Sequence, residues 1–289
     1  MDKKNIAYVT ADLNLADPDP DLDWPIFRDA CEPFSMNLKS VNWDDPTVNW
    51  REFDLAIVRS PWNYSESRAE FVNWAYRVEQ QTKLLNPAKT LETNTDKTYL
   101  LKLAEQVPVI PTLYRTKEQV NQTELANLLS EKRALAIKPN IGAGASLATR
   151  VTEVGDALAA IDKIHQAGFI AMLQPYLDEV DEQGEVAIVT IAGEITHAVK
   201  KVPALTVGGH GDAHSRVEVT QEMQSYVNKL KSVIPNWDQL LYARVDVVPT
   251  NNGLLLMELE LTEPTLFFEQ NPIAAQLLAN EILGRLSGS

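Results

Sequence analysis

A chain of 289 residues, 45% of them hydrophobic, can bury a sizeable core and points to more than one structural lobe. Its formal net charge of -14 makes a surface that repels phosphate backbones, which argues against a nucleic-acid partner; an anionic substrate would need local Lys, Arg or metal ions. The single cysteine, Cys31, excludes an intramolecular disulfide, and no apolar run is long enough to cross a bilayer or, at residues 6–9, to serve as a signal-peptide core, so a cytoplasmic chain without a membrane partner is expected.

The first third alternates strand and helix patterns. Residues 5–10, 38–42 and 55–59 read as strands, and 24–31 and 68–79 have helical period. This alternation predicts a parallel sheet covered by helices, in which ligands bind beyond the carboxyl ends of the strands. Arg59, Ser60, Trp62, Asn63 and Tyr64 sit at such an end. Asn94 or Thr95 is expected to cap a helix over 97–105, after which Pro108 and Pro111 break the pattern and 109–112 becomes an extended linker.

Residues 135–138 read as a short strand ending in Lys138-Pro139, followed by the small-residue loop Gly142-Ala143-Gly144-Ala145-Ser146. Residues 169–174 form another strand that leaves through Pro175-Tyr176-Leu177. Residues 110–177 thus look like a small α+β lid. In the last third, 185–191 and 195–201 read as a hairpin around Gly193-Glu194, and 242–248 and 254–261 as a second pair around Asn251-Asn252-Gly253. Residues 207–211 are glycine-rich, 221–233 have helical period, and 271–286 close the chain as a helix.

The strand pair 242–261 carries the clearest chemistry. Residues two apart share a strand face, so Glu258 and Glu260 lie together, with Asp246 able to face them and Arg244 on the face of Asp246. Three converging carboxylates are costly without a cation, and Mg2+ is the natural neutraliser because it takes hard oxygen ligands and bridges to phosphates. The alternative of solvent-facing strand charges is weakened by the apolar residues around them. Lys97, and Lys138 beside the small-residue loop, are placed to meet phosphate, although ordinary solvated lysines would look the same; Gly142 and Gly144 do not form a Walker loop. The strand that runs out through Gln174-Pro175-Tyr176 could offer backbone groups to an adenine edge, or be a plain hinge. His197, His210 and His214 lack the spacing of a zinc site, and His197 shares a strand face with Lys201.

Taken in order, these pieces resemble the ATP-grasp superfamily over nearly the whole chain. The likeness is to glutathione synthetase-like and RimK-like ligases, and within them to the subgroup containing the D-cycloserine-forming ligase, on the segments VRSPWNY (58–64), NTDKTYLLKLA (94–104), LQPYL (173–177), HAVKK (197–201) and ARVDVV…LMELELTEPTLF (243–267). GGHGDA (208–213) resembles the glycine-rich substrate loop of bacterial glutathione synthetase. The resemblance implies an N-terminal parallel α/β pre-ATP-grasp domain (1–109), a lid subdomain (110–177) and a C-terminal antiparallel-sheet catalytic subdomain (178–289).

It further implies that Lys97 and Lys138 hold the α- and β-phosphates and that Gly142, Gly144 and Ser146 close over them. Gln174, Tyr176 and Leu177 would meet adenine, Glu185 the ribose, and Lys201 the γ-phosphate. Asp246, Glu258 and Glu260 would bind Mg2+, and Arg244 would stabilise an acyl phosphate. Arg59, Ser60, Trp62 and Tyr64 would meet the substrate in a pocket lined also by Glu263-Pro264-Thr265 and by the loop 203–216, although a structural strand-end role for Arg59 is equally open. Gln174, Glu260 and Asn63 depart from the residues common in relatives. The expected activity is ATP-dependent joining of a small-molecule carboxylate to an amine with release of ADP and phosphate. A cyclising ligase, a non-catalytic ATP-binding regulator and a kinase-like phosphotransferase are alternatives. Relatives are often dimers or tetramers, so a homo-oligomer stays open.

Overall fold

The computed structural model describes residues 3–11, 21–34, 36–202, 205 and 214–287. Strands β1 (Lys4–Thr10), β2 (Met36–Asn42), β3 (Leu55–Ser60) and β4 (Lys83–Leu85) form a parallel sheet in the order β2-β1-β3-β4. Every residue of β3 is buried, as expected where helices cover both faces of a parallel sheet. Helix α1 (Asp23–Cys31) lies on one face. Helix α2 (Arg68–Glu79) lies on the other, burying Phe71, Trp74, Ala75 and Val78 at helical spacing.

The stretch expected to be one helix over 97–105 is divided differently. Helix α3 (Ala88–Asn94) ends at Asn94, and α4 (Tyr99–Ala104) begins only after Lys97. Asn94 caps no helix start; its side chain bonds Leu259 O, Leu261 N and Thr262 Oγ1 beside the far strand pair. The Thr98 N–H is taken by Asp96 Oδ1, and the Lys97 N–H by Asn140 O.

The second sheet is antiparallel, ordered β5 (Leu113–Arg115), β8 (Ala171–Pro175), β6 (Leu135–Pro139), β7 (Thr149–Val151). Helices α5 (Gln122–Lys132) and α6 (Val154–Gln166) cover one side. Asn121 starts α5 by accepting from the N–H groups of Thr123 and Glu124.

The third sheet is also antiparallel and follows the short helix α7 (Asp178–Gln183). Its order is β11 (His214–Val217), β10 (Glu194–Lys201), β9 (Glu185–Ile191), β12 (Tyr242–Thr250), β13 (Gly253–Glu260). The β9–β10 turn is Ala192-Gly193, both at positive φ, and a Cβ on Gly193 would meet the Trp237 ring at 3.1 Å. The linker is not free: Ile110 N–H bonds Leu256 O and Leu256 N–H bonds Pro108 O, so residues 108–110 run along β13.

Helix α8 (Gln221–Val233) buries Met223, Tyr226, Val227 and Leu230 against one face of this sheet. The closing helix α9 (Pro272–Ser287) packs at the other, where Ala187, Val189, Leu278 and Phe268 share a single core with Ile6, Tyr8 and Phe27 of the first sheet and α1. Among the described residues no helix is long and apolar enough to cross a membrane. The glycine-rich stretch 207–211, His210 and most of the expected substrate loop 203–216 lie outside the described residues.

Candidate active site

A cavity of about 580 Å³ opens between the second and third sheets. Lys138 and Gln174 line it from the second sheet, and Glu185, Lys201, Arg244, Asp246, Glu258 and Glu260 from the third. The 142–146 loop and Tyr176-Leu177 form part of its wall, Trp62 reaches it from the first sheet, and Ile110, Ala136, Val180, Leu205 and Met257 give it an apolar side.

Strand register brings the charged groups together. Asp246 stands opposite Glu258 and Arg244 opposite Glu260, while Lys201 stands opposite Glu185 on the neighbouring pair. Arg244 grips Asp246 with two bonds of 2.9 Å and reaches Glu260 at 2.5 Å. Lys201 lies 2.5 Å from Glu185 and 2.8 Å from Asp246. Lys97 bonds Glu258 at 3.0 Å and the Gly142 carbonyl at 2.6 Å, tying the small-residue loop to β13. Lys138 has no ion-pair partner among the described residues.

These contacts bear on the residues expected to hold Mg2+. Among the described residues no three acidic, His or Cys side chains gather tightly enough to hold a metal as they stand. Asp246, Glu258 and Glu260 do share the site, but each is turned toward Arg244, Lys201 or Lys97, which meet their charge. The donors still suit Mg2+: they are hard carboxylate oxygens on adjoining register positions, and negative charge is in excess. Burial pushes Glu260 up to about 8 against the pull of Arg244, with Asp246 and Glu258 adding to the rise. Burial alone would also raise Asp246, but Arg244 and Lys201 hold it well below the carboxylate range; Lys97 and Lys138 likewise lower Glu258 against the effect of burial. Desolvation lowers the Lys138 ammonium, and nearby Lys97 adds to that.

The 142–146 loop takes backbone shapes that favour small residues. Gly144 has φ 60° and Ala145 φ 59°. Gln174 is buried and donates to Thr112 Oγ1 at 2.8 Å. Tyr176 gives its N–H to Ala134 O, its hydroxyl to Asp181, and its ring face to the Arg150 guanidinium at 3.8 Å.

The four residues assigned to substrate divide. Trp62 lines the cavity. Tyr64 is buried behind it, where burial and the nearby Glu263 carboxylate raise its hydroxyl well above the ordinary value. Arg59 and Ser60 do not line it. Arg59 is 2% exposed, bonds Asp23 at 3.1 Å and Pro264 O at 2.7 Å, and stacks over Tyr242. Ser60 bonds Thr10 Oγ1 and Asp21 Oδ2. Both are at a strand end, as expected, but the 263–268 segment covers that end and turns them inward. Asn63 bonds Trp43 and Asp44, away from the cavity. His197 is buried beside Thr196, kept neutral with its pKa lowered by burial to about 4, and does not line the cavity. His214 packs edge-on against Phe267. Cys31 is a core side chain whose thiol burial pushes up to about 12.

Glu263, expected together with Pro264 and Thr265 to line the substrate pocket, stands on the cavity wall. Burial raises it to about 7.

Comparison with known proteins identifies the arrangement. Residues 97–273 match the ATP-grasp domain family of prokaryotic glutathione synthetase. The chain belongs to that ATP-grasp family. It is therefore an ATP-dependent, ADP-forming carbon–nitrogen ligase that uses ATP with Mg2+. Residues 6–86 match the N-terminal domain family of D-cycloserine synthetase DcsG. The cycloserine biosynthesis protein DcsG of Streptomyces lavendulae is 29% identical over 92% of this chain and 94% of its own length. A crystal structure of D-cycloserine synthetase DcsG superposes with a TM-score of 0.88 at 27% identity, covering 98% of this chain and 99% of the other. The D-alanine–D-alanine ligase of Bacillus anthracis, in complex with ATP, shares the ATP-grasp fold, with a TM-score of 0.71 at 13% identity over 99% of each chain.

Proposed function

We propose that this ATP-grasp ligase activates the carboxylate of a small molecule as an acyl phosphate and passes it to an amine. The observation that supports this most is the joint hold of Arg244 and Lys201 on Asp246 at the cavity floor, which gathers positive charge where a phosphoryl group in transfer would need it. Three units divide the work: 1–109 for substrate, 110–177 as the lid, and 178–289 for chemistry.

In this reading Lys138, which has no ion-pair partner among the described residues, takes a phosphate of ATP together with Lys97. Gly142, Gly144 and Ser146 close over the phosphates and exclude water. Gln174 and Leu177 meet adenine beside the Tyr176 carbonyl, whose own N–H is already spent on Ala134. Glu185 meets ribose once Lys201 swings from it toward the γ-phosphate. Mg2+, when bound, would be held by Asp246, Glu258 and Glu260 and would supply positive charge on the outer phosphates. Arg244 steadies the charge on the acyl phosphate. Trp62 borders the substrate, backed by Tyr64, while Arg59 and Ser60 position the wall behind it.

The bonds made and broken are simple. A carboxylate oxygen attacks the γ-phosphorus and ADP leaves. The amine then attacks the acyl carbon and phosphate departs with one oxygen of the acid, the amine's proton passing to water. The test supplies an acid labelled with heavy oxygen in its carboxylate, found by screening amino acids and small acids for ADP release. One label per released phosphate is expected; unlabelled phosphate, or AMP with pyrophosphate, would refute the mechanism.

A second reading is favoured by the likeness to DcsG along the whole chain: the nucleophile belongs to the same molecule as the acid, and the product is a ring. Turnover of one organic substrate without an added amine would establish it. A non-catalytic regulator is disfavoured by the complete set Arg244, Asp246, Glu258 and Glu260.

A further inference from the structure

A short relay of hydrogen bonds runs from the third sheet through the linker to the second sheet. Ile110 N–H bonds Leu256 O of β13 at 3.0 Å, which fixes the Ile110 peptide. Thr112 Oγ1 donates to the Ile110 carbonyl at 2.8 Å, and Gln174 Nε2 donates to Thr112 Oγ1, also at 2.8 Å. Strand pairing brings the two side chains together: Leu113 stands opposite Leu173, so Thr112 and Gln174 are the next two residues outward.

The order of donors in this relay is forced. A carbonyl oxygen only accepts, so the Thr112 hydroxyl proton is committed to Ile110, and the hydroxyl oxygen must accept from the Gln174 amide. The NH2 end of that amide is thereby turned to Thr112, and its Oε1 is turned away. Gln174 is 3% exposed and lines the cavity, whereas Thr112 does not. Among the described residues no donor reaches Oε1, and it is not among the buried atoms sealed off without a partner. A buried amide oxygen left open to a cavity is a place for a donor from a ligand.

We infer that Thr112 is a positioning residue for the nucleobase: by fixing the turn of the Gln174 amide, it makes the site prefer a purine with an exocyclic amine to one with a keto oxygen in its place. The inference rests on the reading in which Gln174 meets adenine. The adenine amine donates to Oε1. A keto purine sets its own acceptor against that oxygen, and the amide cannot turn over to offer its NH2 without leaving Thr112. A carboxylate at this position would need no such support, because both its oxygens accept; a glutamine does.

The test is nucleotide binding to the full chain, measured by calorimetry with Mg2+ and no organic substrate. Wild type should bind ATP about tenfold or more tighter than inosine triphosphate, which carries the keto oxygen. Thr112 is only half-buried, so Thr112→Val should fold; it removes the hydroxyl and lets the amide turn. In that variant the two affinities should come within about threefold of each other, ATP binding more weakly and inosine triphosphate more tightly. Thr112→Ser should keep the wild-type ratio. Thr112→Val/Gln174→Glu should regain a preference for ATP, since a carboxylate has no donor to present. The inference is overturned if wild type does not discriminate, if Thr112→Val weakens both nucleotides alike, if Thr112→Ser behaves as the valine variant does, or if the double variant stays unselective. Gln174→Ala tells which reading has failed. Unchanged ATP affinity there removes the adenine contact and the inference with it; weakened ATP binding beside an intact ratio in Thr112→Val removes the role of Thr112 alone. Failure of the acyl-phosphate chemistry shows elsewhere, in the labelled phosphate.

Discussion

Two buried arginine–aspartate pairs stand on either side of the 263–268 segment. Arg59 pairs with Asp23, donates to Pro264 O and stacks 4.7 Å from the Tyr242 ring. Arg244 pairs with Asp246, donates to Thr265 O and lies 5.6 Å from the Phe267 ring. In local chemistry they are near copies, yet only the second opens onto the cavity and shares its charge with further acids. Asp23 spends its remaining capacity on the N–H groups of Leu266 and Phe268. Burial and pairing alone therefore do not mark a catalytic arginine; access to a cavity with competing partners does.

The sharpest test of this contrast is Arg244→Gln. Turnover should fall by about a thousandfold or more, the scale of losing a pre-set positive group at a reacting phosphate, while the melting temperature changes little. Retention of a tenth of wild-type turnover would erase the difference between the pairs. Arg59→Met should behave the opposite way. Removing one partner of a buried pair costs about 3–5 kcal/mol, read by denaturant unfolding, with turnover per folded molecule preserved. Burial already raises the Asp23 carboxyl, and losing Arg59 raises it further. An acid whose folded pKa exceeds its unfolded one is least harmful when protonated, so the deficit should shrink as pH falls and grow as it rises through that pKa. Ser60→Ala should have the smallest effect, about 1 kcal/mol of stability for a lost bond to Asp21, with no change in any KM. A raised KM for the organic substrate would return Ser60 to the pocket.

Much of this was readable in the chain. Strands β1, β2 and β3 of the first sheet and β9, β10, β12 and β13 of the third stand where alternation and apolar runs placed them, and the face shared by Arg244 and Asp246 and by Glu258 and Glu260 follows from strand period. Short elements were not: β4 has three residues and α3 seven, too few to show a period. Asn94 looks like a helix cap in sequence, but a contact 165 residues away decides its role. The same applies to Lys97, which meets Glu258 across the fold, and to Arg59, whose partner Asp23 lies 36 residues upstream on α1. Local pattern gives the face of a strand; it does not say what covers that face.

Asn86, at the exit of the first sheet, donates to Tyr242 O and Leu261 O and accepts from Leu241 N–H. One buried amide thus closes three backbone valences of the catalytic sheet, just as Asp23 and Arg59 do for the segment after it. This makes the substrate unit and the chemical unit a single inheritance. A graft that replaces residues up to about 86 with those of another ligase, in order to change the acid accepted, must carry Asp23, Arg59 and Asn86 with it, or the two units pack together less stably.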